Sequence, residues 1–193
     1  ETVTFNINGV MYERKTNENG TAKLNINLQS GDYILTATNP VNGEMYSNDI
    51  TVLTTVLASD IVKYYKNDTQ YYVTLLDNAG SPLINESATF NINGMLYTRT
   101  TNDNGIAKMN INLNPDNYTI TVTHPNGEMH SNNIEVLPTI LADDLTMQYR
   151  DGSRFTASVL DDHGNPLVNS TVTFNINGVF YNRTTKDDGN AYL

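Results

Sequence analysis

Apolar and polar residues alternate along most of this chain, with the period of two that a β-strand with one buried face requires. In IAKMNINL (residues 106–113), apolar side chains stand at every second position, between lysine and asparagine. The stretches NYTITVT at 117–123 and YYVTLLD at 71–77 show the same alternation. No window has the spacing of an amphipathic helix. The pattern predicts an all-β protein.

The same alternation predicts which side chains point inward, because successive residues of a strand face opposite sides of the sheet. Most of the predicted inward residues lie between positions 71 and 122. They are Tyr71, Val73, Leu75, Phe90, Ile92, Ala107, Met109, Ile111, Leu113, Tyr118, Ile120 and Val122, with Phe155, Ala157 and Val159 further along.

Short turns rich in asparagine and glycine separate the predicted strands. Asn93-Gly94 stands between two alternating runs and is a strong signal of a two-residue β-hairpin, because both positions need a positive φ. The sequences NDNG at 102–105, DNAGSP at 77–82 and HPNG at 124–127 predict further turns. Turns at intervals of roughly ten residues are typical of a β-sandwich.

The chain also repeats itself. The motif TFNING ends at Gly9, Gly94 and Gly178, so the period is 84 to 85 residues. Residues 52–90 match residues 136–174 with the same offset. A period of this length is close to the size of a small β-sandwich. We therefore expect tandem immunoglobulin-like antiparallel β-sandwich repeats, each with about seven short strands.

Two divisions of the chain into repeats are open. In the first, residues 54–137 form a complete repeat, residues 1–53 are the C-terminal part of an earlier repeat, and residues 138–193 are the N-terminal part of the next. In the second, repeats begin at Glu1 and Glu86, and a remnant begins at Ser170. We favour the first division, because VLTTVLASD and VLPTILADD have the character of short joints after a final strand.

In the favoured division the two outer segments hold different parts of one repeat. An incomplete sandwich exposes sheet edges and half a core. One explanation is that the sequence is a window cut from a longer tandem array, which needs no exchange of strands. The other is that the last segment of one chain completes the first segment of the next, by head-to-tail self-association.

Composition excludes some classes of partner. The net charge is −10 and the sequence shows no basic cluster, so nucleic acid is not an expected partner. No apolar run has the length of a membrane span, so membrane insertion of this segment is not expected. The chain has no cysteine and no tryptophan, so the disulfide and packed tryptophan of antibody domains cannot form.

The order LDxxGxPLxxxxxTFNING, followed by RTTxxxGxAxLNINL and SNxIxVL, resembles the bacterial Ig-like repeats of invasin and intimin type. It is more similar still to the Ig-like repeats in adhesin-like surface proteins of methanogenic archaea. The resemblance covers the whole chain. It implies extracellular display on the cell surface, long tandem arrays, and roles in adhesion or as stalks. It carries no catalytic residues.

These observations together predict a structural, non-catalytic stalk or spacer whose partners are neighbouring repeats of the same chain. Two alternatives stay open. The repeats bind a cell-surface protein or a glycan directly, as an adhesin, or the chain is a filament subunit joined head to tail by strand complementation. The sequence has no nucleophile elbow and no paired-carboxylate setting, so no enzyme and no cofactor are expected.

Candidate binding and modification residues are few. A tyrosine and an arginine recur two positions apart in the TFNING hairpin, and they are Tyr12 and Arg14, Tyr97 and Arg99, and Tyr181 and Arg183. An exposed tyrosine can bind a partner, or it can pack at the sandwich edge beneath the arginine.

The candidate glycosylation sequons N-x-S/T are Asn85, Asn169, Asn19, Asn67, Asn117 and Asn182. Only the first two are equivalent in two repeats, and we favour those as acceptors.

Metal sites and cross-links have weaker signals. Asp60 and Asp144 align, as do Asp77 and Asp161, but no dense calcium loop is present, and turn capping is the alternative to Ca²⁺ at the joints. The three histidines do not recur between repeats, so no metal site is expected.

A lysine cross-link needs a buried lysine. Lys23 and Lys108 should face solvent, Lys63 aligns with Met147, and no lysine recurs at an inward position.

Overall fold

The computed structural model describes all 193 residues and contains seventeen β-strands and no helix. Residues 1–53 hold β1 (Thr2–Ile7), β2 (Val10–Lys15), β3 (Gly31–Thr38) and β4 (Met45–Val52). Residues 54–137 hold β5 (Val56–Ala58), β6 (Ile61–Tyr64), β7 (Gln70–Leu75), β8 (Ser87–Ile92), β9 (Met95–Thr100), β10 (Ile106–Asn110), β11 (Asp116–Thr123) and β12 (Met129–Leu137). Residues 138–193 hold β13 (Ile140–Ala142), β14 (Thr156–Val159), β15 (Thr171–Ile176), β16 (Val179–Thr184) and β17 (Asn190–Tyr192). No helix of the structure has the length and hydropathy of a membrane span.

The strands of residues 54–137 form an immunoglobulin-like β-sandwich. One sheet has the order β10-β7-β5 and the other the order β6-β12-β11-β8-β9. Alternate residues of both sheets meet in a core of 14 buried side chains between Val56 and Val136. All the predicted inward residues of this region belong to the core, except that Leu113 and Tyr118 are partly buried against it. The prediction of inward and outward faces is confirmed here.

This unit has eight strands where about seven were predicted. The extra strand arises because the first predicted strand is interrupted at Ser59-Asp60, where the chain passes from one sheet to the other. β5 pairs antiparallel with β7, whereas β6 pairs parallel with β12. The first strand of the sandwich therefore contributes backbone hydrogen bonds to both sheets.

The predicted NG hairpins are confirmed by the backbone. Asn93 and Gly94 have φ values of 52° and 77°, as a two-residue turn between antiparallel strands requires. The side chain of Asn91 adds a bond that the sequence pattern did not indicate: its Oδ1 accepts the amide hydrogen of Gly94 at 3.1 Å. The same bond recurs from Asn6 to Gly9 and from Asn175 to Gly178.

The NDNG turn has a different need for glycine. Gly105 has a φ of 70°, and a Cβ there would lie 2.6 Å from the carbonyl oxygen of Leu75. Gly189 is in the same situation, with the carbonyl oxygen of Val159 at 2.8 Å. Both glycines let the turn approach the neighbouring strand closely enough for backbone pairing.

The first segment contains one sheet of the repeat. Its strand order β2-β1-β3-β4 corresponds to β9-β8-β11-β12 of the complete sandwich. Residues 21–29, which are equivalent to β10 and the loop after it, form no strand. β10 pairs with β7, and the first segment has no counterpart of β7. Its inner face is accordingly less covered, and Ile7 is the buried hydrophobic residue of this segment.

The last segment contains strands that the first segment lacks, together with another copy of the TFNING hairpin. Its sheet β13-β14-β17 corresponds to β5-β7-β10, and β15-β16 corresponds to β8-β9. A small core is built from Val159, Val172 and Ala191. Of the three inward residues predicted here, Ala157 and Val159 are buried and Phe155 is partly buried.

Candidate functional site

The segment between β4 and β5 is held by one carboxylate, which we call the Glu128 clasp. Glu128 lies in the turn between β11 and β12. Its Oε1 accepts the hydroxyl hydrogen of Thr54 at 2.7 Å, and its Oε2 accepts from the amide of Thr55 at 2.9 Å and the hydroxyl of Thr55 at 2.5 Å. Asn126 also donates to the Thr55 hydroxyl at 3.2 Å. The joint between the first segment and the sandwich is therefore bonded to a hairpin more than 70 residues away in sequence.

The turn that carries Glu128 is itself anchored to the sandwich through His124. The amide of His124 donates to the carbonyl oxygen of Glu128 at 2.8 Å, which closes the turn. The imidazole is buried. Its Nδ1 accepts from the amide of Asn126, so Nε2 carries the hydrogen and donates to the carbonyl oxygen of Leu76 at 2.9 Å. A fixed turn holds the carboxylate over the joint.

The ionisation of Glu128 reflects these bonds. Partial burial by itself raises the pKa of the carboxyl group, but the hydroxyls of Thr55 and Thr54 and the amide of Thr55 outweigh it and lower the pKa to about 2. Ser30 of the first segment makes a smaller contribution in the same direction to the pKa. The clasp is therefore ionised at neutral pH and fixes the two residues that lead into β5.

The joint that follows β12 has a contact of another kind. The ring of Tyr64 packs against Gly164 of the last segment so closely that a Cβ at this glycine would lie 2.3 Å from Tyr64 Cε2. Beside it, Nδ2 of Asn67 donates to the carbonyl oxygen of Asp162 at 2.8 Å. The loop after β6 and the DDHGN turn after β14 thus meet across this joint. At Gly80, which is equivalent to Gly164, the space around a Cβ is open.

Three of the four aligned aspartates, Asp60, Asp77 and Asp161, accept hydrogen bonds from backbone amides. Oδ1 of Asp60 accepts from the amide of Asn133 at 2.8 Å and from Nδ2 of Asn132 at 3.1 Å, and these bonds lower its pKa. Asp77 and Asp161 each accept two amide hydrogens of their own turns. This is the turn-capping arrangement that the sequence left open beside calcium.

One group of three potential metal ligands lies on the surface near the second joint. The ligand atoms of Asp161, Asp162 and His163 lie within 4.8 Å of one another. Oδ1 of Asp162 is 2.7 Å from Nδ1 of His163, and this bond raises the pKa of the imidazole. The Asp161 carboxylate holds its own turn. The side chains are thus engaged with one another and with the backbone.

Lys63 is a buried lysine that the sequence analysis did not single out, and it has no counterpart in the last segment, where position 147 is methionine. This side chain is only 5% exposed, and its ammonium group donates to the carbonyl oxygens of Asn67, Thr69 and Ile111, the last at 2.9 Å. Burial lowers its pKa, and Asp68 partly opposes the shift. A long flexible stem can bring a charge under a loop where carbonyl groups converge. Lys63 thereby ties the loop after β6 to the end of β10.

The recurring tyrosines and arginines lie on β2, β9 and β16. In the complete sandwich, β9 is the edge strand of its sheet, and Tyr97 is 37% exposed. Each arginine donates from its guanidinium to the carbonyl oxygen of the preceding residue, as Arg99 does to Thr98 at 2.8 Å. The central carbon of the Arg183 guanidinium also lies 5.9 Å from the centre of the Tyr181 ring. Tyr12 is partly buried and Arg14 is exposed.

The candidate glycosylation sites differ in accessibility. Asn85 and Asn169 are exposed and have positive φ values of 56° and 54°. Asparagine is favoured at such positions for its backbone preference alone, so their recurrence has a second explanation. Asn67 is partly buried, and its amide is engaged with Asp162. The remaining three, Asn19, Asn117 and Asn182, are exposed.

Sequence reasoning missed the residues of the Glu128 clasp. A signal was present, because the tripeptide NGE occurs at both 42–44 and 126–128. Its partners stand far away in sequence, however, and the second joint has proline at 138 where the first has Thr54. Thr101 and Thr185 were also missed, although both are buried and accept an amide hydrogen from the loop before β8 or β15.

Comparison with known proteins finds similarity to several solved structures. No protein-family model and no curated protein sequence matches it. A Ca²⁺-stabilised ice-binding adhesin of an Antarctic bacterium is 19% identical, with 100% of this chain and 56% of that chain covered and a TM-score of 0.28. The fibronectin(III)-like modules of Clostridium thermocellum CbhA are 16% identical, with 71% and 78% covered and a TM-score of 0.31. Domains 4–9 of the surface layer protein SbsC are 10% identical, with 89% and 37% covered and a TM-score of 0.32.

The chain therefore spans about half the length of the adhesin and little more than a third of the surface layer fragment. At these identities and TM-scores the likeness implies nothing about function. The assignment of the fold rests on the two sheets and the shared core of residues 54–137.

Proposed function

We propose that this chain is a segment of an extracellular, non-catalytic stalk in which successive β-sandwich repeats are held at fixed angles. Residues 54–137 are one complete repeat in this proposal, and residues 1–53 and 138–193 are parts of its neighbours. Each repeat supplies its own core, and short joints transmit orientation along the array. The acidic surface, with a net charge of −10, keeps the array soluble.

The observation that carries this proposal is the Glu128 clasp, whose bonds lie within residues 54–137 and leave only Leu53 between β4 and the fixed start of the sandwich. A flexible linker would leave the two threonines of the joint free in solvent. Here Thr54 and Thr55 make three hydrogen bonds to one ionised carboxylate, and charge-assisted bonds of this kind are stronger than neutral ones. The contact of Tyr64 with Gly164 restrains the second joint in turn. Restrained joints are what a spacer needs in order to hold a surface away from the cell.

The experiment uses the absence of cysteine from the chain. Spin labels are attached to Glu13→Cys and Asp103→Cys, both exposed and on opposite sides of the first joint. Pulsed electron resonance then gives the distribution of distances between them. We expect one narrow distribution, which broadens in Glu128→Ala. Glu44→Ala is the matched control, because Glu44 stands at the same place in the first segment and its carboxylate makes no hydrogen bond to the joint. Equal widths in all three proteins would contradict the proposal.

A second candidate function is direct adhesion through the TFNING hairpin. Met95 and Leu96, beside Tyr97 and Arg99 on the edge strand β9, are 60% and 67% exposed. Equivalent apolar pairs are exposed on β2 and β16. An edge strand with exposed apolar side chains can receive a partner protein. Loss of cell binding in Tyr97→Ala and Leu96→Ser, with unchanged melting, supports adhesion, and unchanged binding rules it out for this surface.

Head-to-tail complementation is the third arrangement. The strands β13, β14 and β17 of one chain correspond to β5, β7 and β10, which the sheet β2-β1-β3-β4 lacks, whereas β15 and β16 repeat the hairpin of β1 and β2. Light scattering over a concentration series tests it. Oligomers that grow with concentration in the wild type and are absent in Phe174→Asp/Ile176→Asp support complementation. A monomer of 21.5 kDa at all concentrations contradicts it.

The exposed amides of Asn85 and Asn169 are the glycan acceptors in this proposal. They lie in equivalent loops just before β8 and β15, and both residues are exposed. The mass of peptides from the native source tests the assignment. Bare peptides at both positions would remove it.

A further inference from the structure

The fold gathers polar and aromatic side chains on the outer face of β7 and β10, which we call the Tyr72 face. It consists of Gln70 and Tyr72 on β7, Lys108 and Asn110 on β10, and Arg99 on the adjacent β9. In the ladder, Lys108 is opposite Tyr72 and Asn110 is opposite Gln70. These five side chains line a groove of about 560 Å³. The groove takes no part in the joints or in the sandwich core.

Hydrogen bonds on this face hold the aromatic ring in place. The hydroxyl of Tyr72 donates to Oε1 of Gln70 at 3.0 Å, and Nε2 of Gln70 donates to Oδ1 of Asn110. The Tyr72 side chain is nevertheless 54% exposed. Asn110 is exposed as well. A ring that is fixed before binding loses less conformational entropy when a ligand stacks on it.

The charge of the face is opposite to that of the chain. The net charge of the protein is −10, yet the residues lining the groove include Arg99 and Lys108 and no acidic side chain. A second groove, of about 650 Å³, continues past Tyr72 and adds Lys66, with Asp68 as its one carboxylate. Sequence inspection finds no basic cluster because these cations come from separate strands. The face therefore attracts anions that the rest of the surface repels.

We propose that the Tyr72 face binds an acidic oligosaccharide, in particular a chain containing uronic acid residues. The flat aromatic ring accepts the apolar face of a sugar ring. The amides of Gln70, Asn110 and the neighbouring Asn102 match sugar hydroxyls as donors and acceptors. Lys108 and Arg99 pair with carboxylates, and the guanidinium can do so through two parallel bonds. This activity goes beyond the stalk function and does not depend on it.

The last segment carries a related arrangement at the equivalent cross-strand position. There Thr156 on β14 is opposite Tyr192 on β17, so the aromatic residue comes from the other strand of the pair. The ammonium group of Lys186 lies 5.4 Å from the centre of the Tyr192 ring. This copy is less basic, since the Tyr192 hydroxyl donates to Asp188. Repetition of a weak site along an array increases the overall affinity through multivalency.

The test is a titration of the whole 193-residue protein with an oligogalacturonate and with a neutral cello-oligosaccharide of the same length, followed by amide chemical shifts. We expect shifts that cluster on β7, β9 and β10 with the acidic probe, and at least tenfold weaker binding in Tyr72→Ala. Lys108→Gln should weaken binding and reduce its dependence on salt, because one charge pair is lost. The matched control is Tyr149→Ala, which removes a tyrosine that is 88% exposed elsewhere.

Three outcomes would overturn the proposal. The first is an absence of shifts at millimolar oligogalacturonate. The second is equal affinity for the neutral probe, which would remove the role of the cations. The third is binding that Tyr72→Ala leaves unchanged. The melting temperature of each variant verifies that it is folded, and Tyr72→Phe, which keeps the ring, should retain most of the affinity.

Discussion

The ring of Tyr71 meets that of Phe90 edge to face, with centroids 6.1 Å apart and an interplanar angle of 87°. Phe155 and Phe174, the equivalent pair of the last segment, repeat this geometry at 6.0 Å and 88°. The pair joins the two sheets of the sandwich at the same place in both copies. Only Tyr71 carries a hydroxyl, which donates to Oδ1 of Asn132 at 2.7 Å and continues through Asn132 to Asp60.

Tyr71→Phe tests the value of this buried row. The variant places at position 71 the residue found at the equivalent position 155, so the packing of the two rings should be unchanged. The Asn132 oxygen loses its partner within the core, and an unsatisfied buried acceptor costs about 1–3 kcal/mol. We expect a lower melting temperature in calorimetry. Tyr46→Phe, at a residue that is 70% exposed, should melt like the wild type. A Tyr71→Phe protein as stable as the wild type would show that the row contributes nothing.

Lys63→Met tests the buried ammonium group. Methionine stands at the equivalent position 147 and nearly matches lysine in length. The substitution leaves three carbonyl oxygens without their donor, and we expect a loss of about 2–4 kcal/mol in the free energy of unfolding. Denaturant unfolding measures it. Lys66→Met, at an exposed position, is the control. Equal stability of the two variants would contradict the role assigned to Lys63.

The Glu128 clasp should open in acid. The pKa of this carboxyl group falls from an ordinary 4.5 to about 2 in the folded protein. A depressed folded-state pKa means that the clasp contributes its full stability above pH 4.5 and loses it as the pH falls towards 2. The amide proton shift of Thr55, followed by NMR, should titrate with a midpoint near 2 and be flat in Glu128→Gln. A midpoint near 4.5 would show that the threonine bonds do not form in solution.

Gly164→Ala should loosen the second joint. A Cβ at this position would overlap the Tyr64 ring, which must then move away. The backbone cost of alanine at a φ of 82° is separate, and Gly80→Ala, at φ 80° with open space around it, measures that cost alone. We expect faster hydrogen exchange around Asn67 and Asp162 in Gly164→Ala only. Identical exchange in both variants would mean that the contact does not restrain the joint.

The alternation of apolar residues predicts the strands and the core well because each strand buries one face, and that pattern is local. The turn at Asn93-Gly94 is equally local. Glu128 and Lys63 are different, since their partners are threonine side chains and carbonyl groups brought near only by the complete sandwich. The burial of Lys63 is also hard to predict from the repeat, because the equivalent residue, Met147, is uncharged. The interruption of the first strand at Asp60 is not predicted from the sequence for a similar reason, because it depends on β12 lying beside β6.

The Tyr72 face shows the same limit for binding sites. Its residues come from β7, β9 and β10, between 2 and about 40 positions apart. In sequence, each lysine or arginine stands alone among polar residues, and the chain reads as uniformly acidic. Only the pairing of Tyr72 with Lys108 across the ladder brings ring and charge together.

Small-angle X-ray scattering of the unmodified protein at neutral pH measures whether the joints hold successive repeats at fixed angles. We expect the scattering curve calculated from this one structure to fit the data, and the radius of gyration to be unchanged by salt. If the data instead require an ensemble of many relative orientations, the Glu128 clasp and the Tyr64–Gly164 contact do not restrain the array, and the proposed stalk function is wrong.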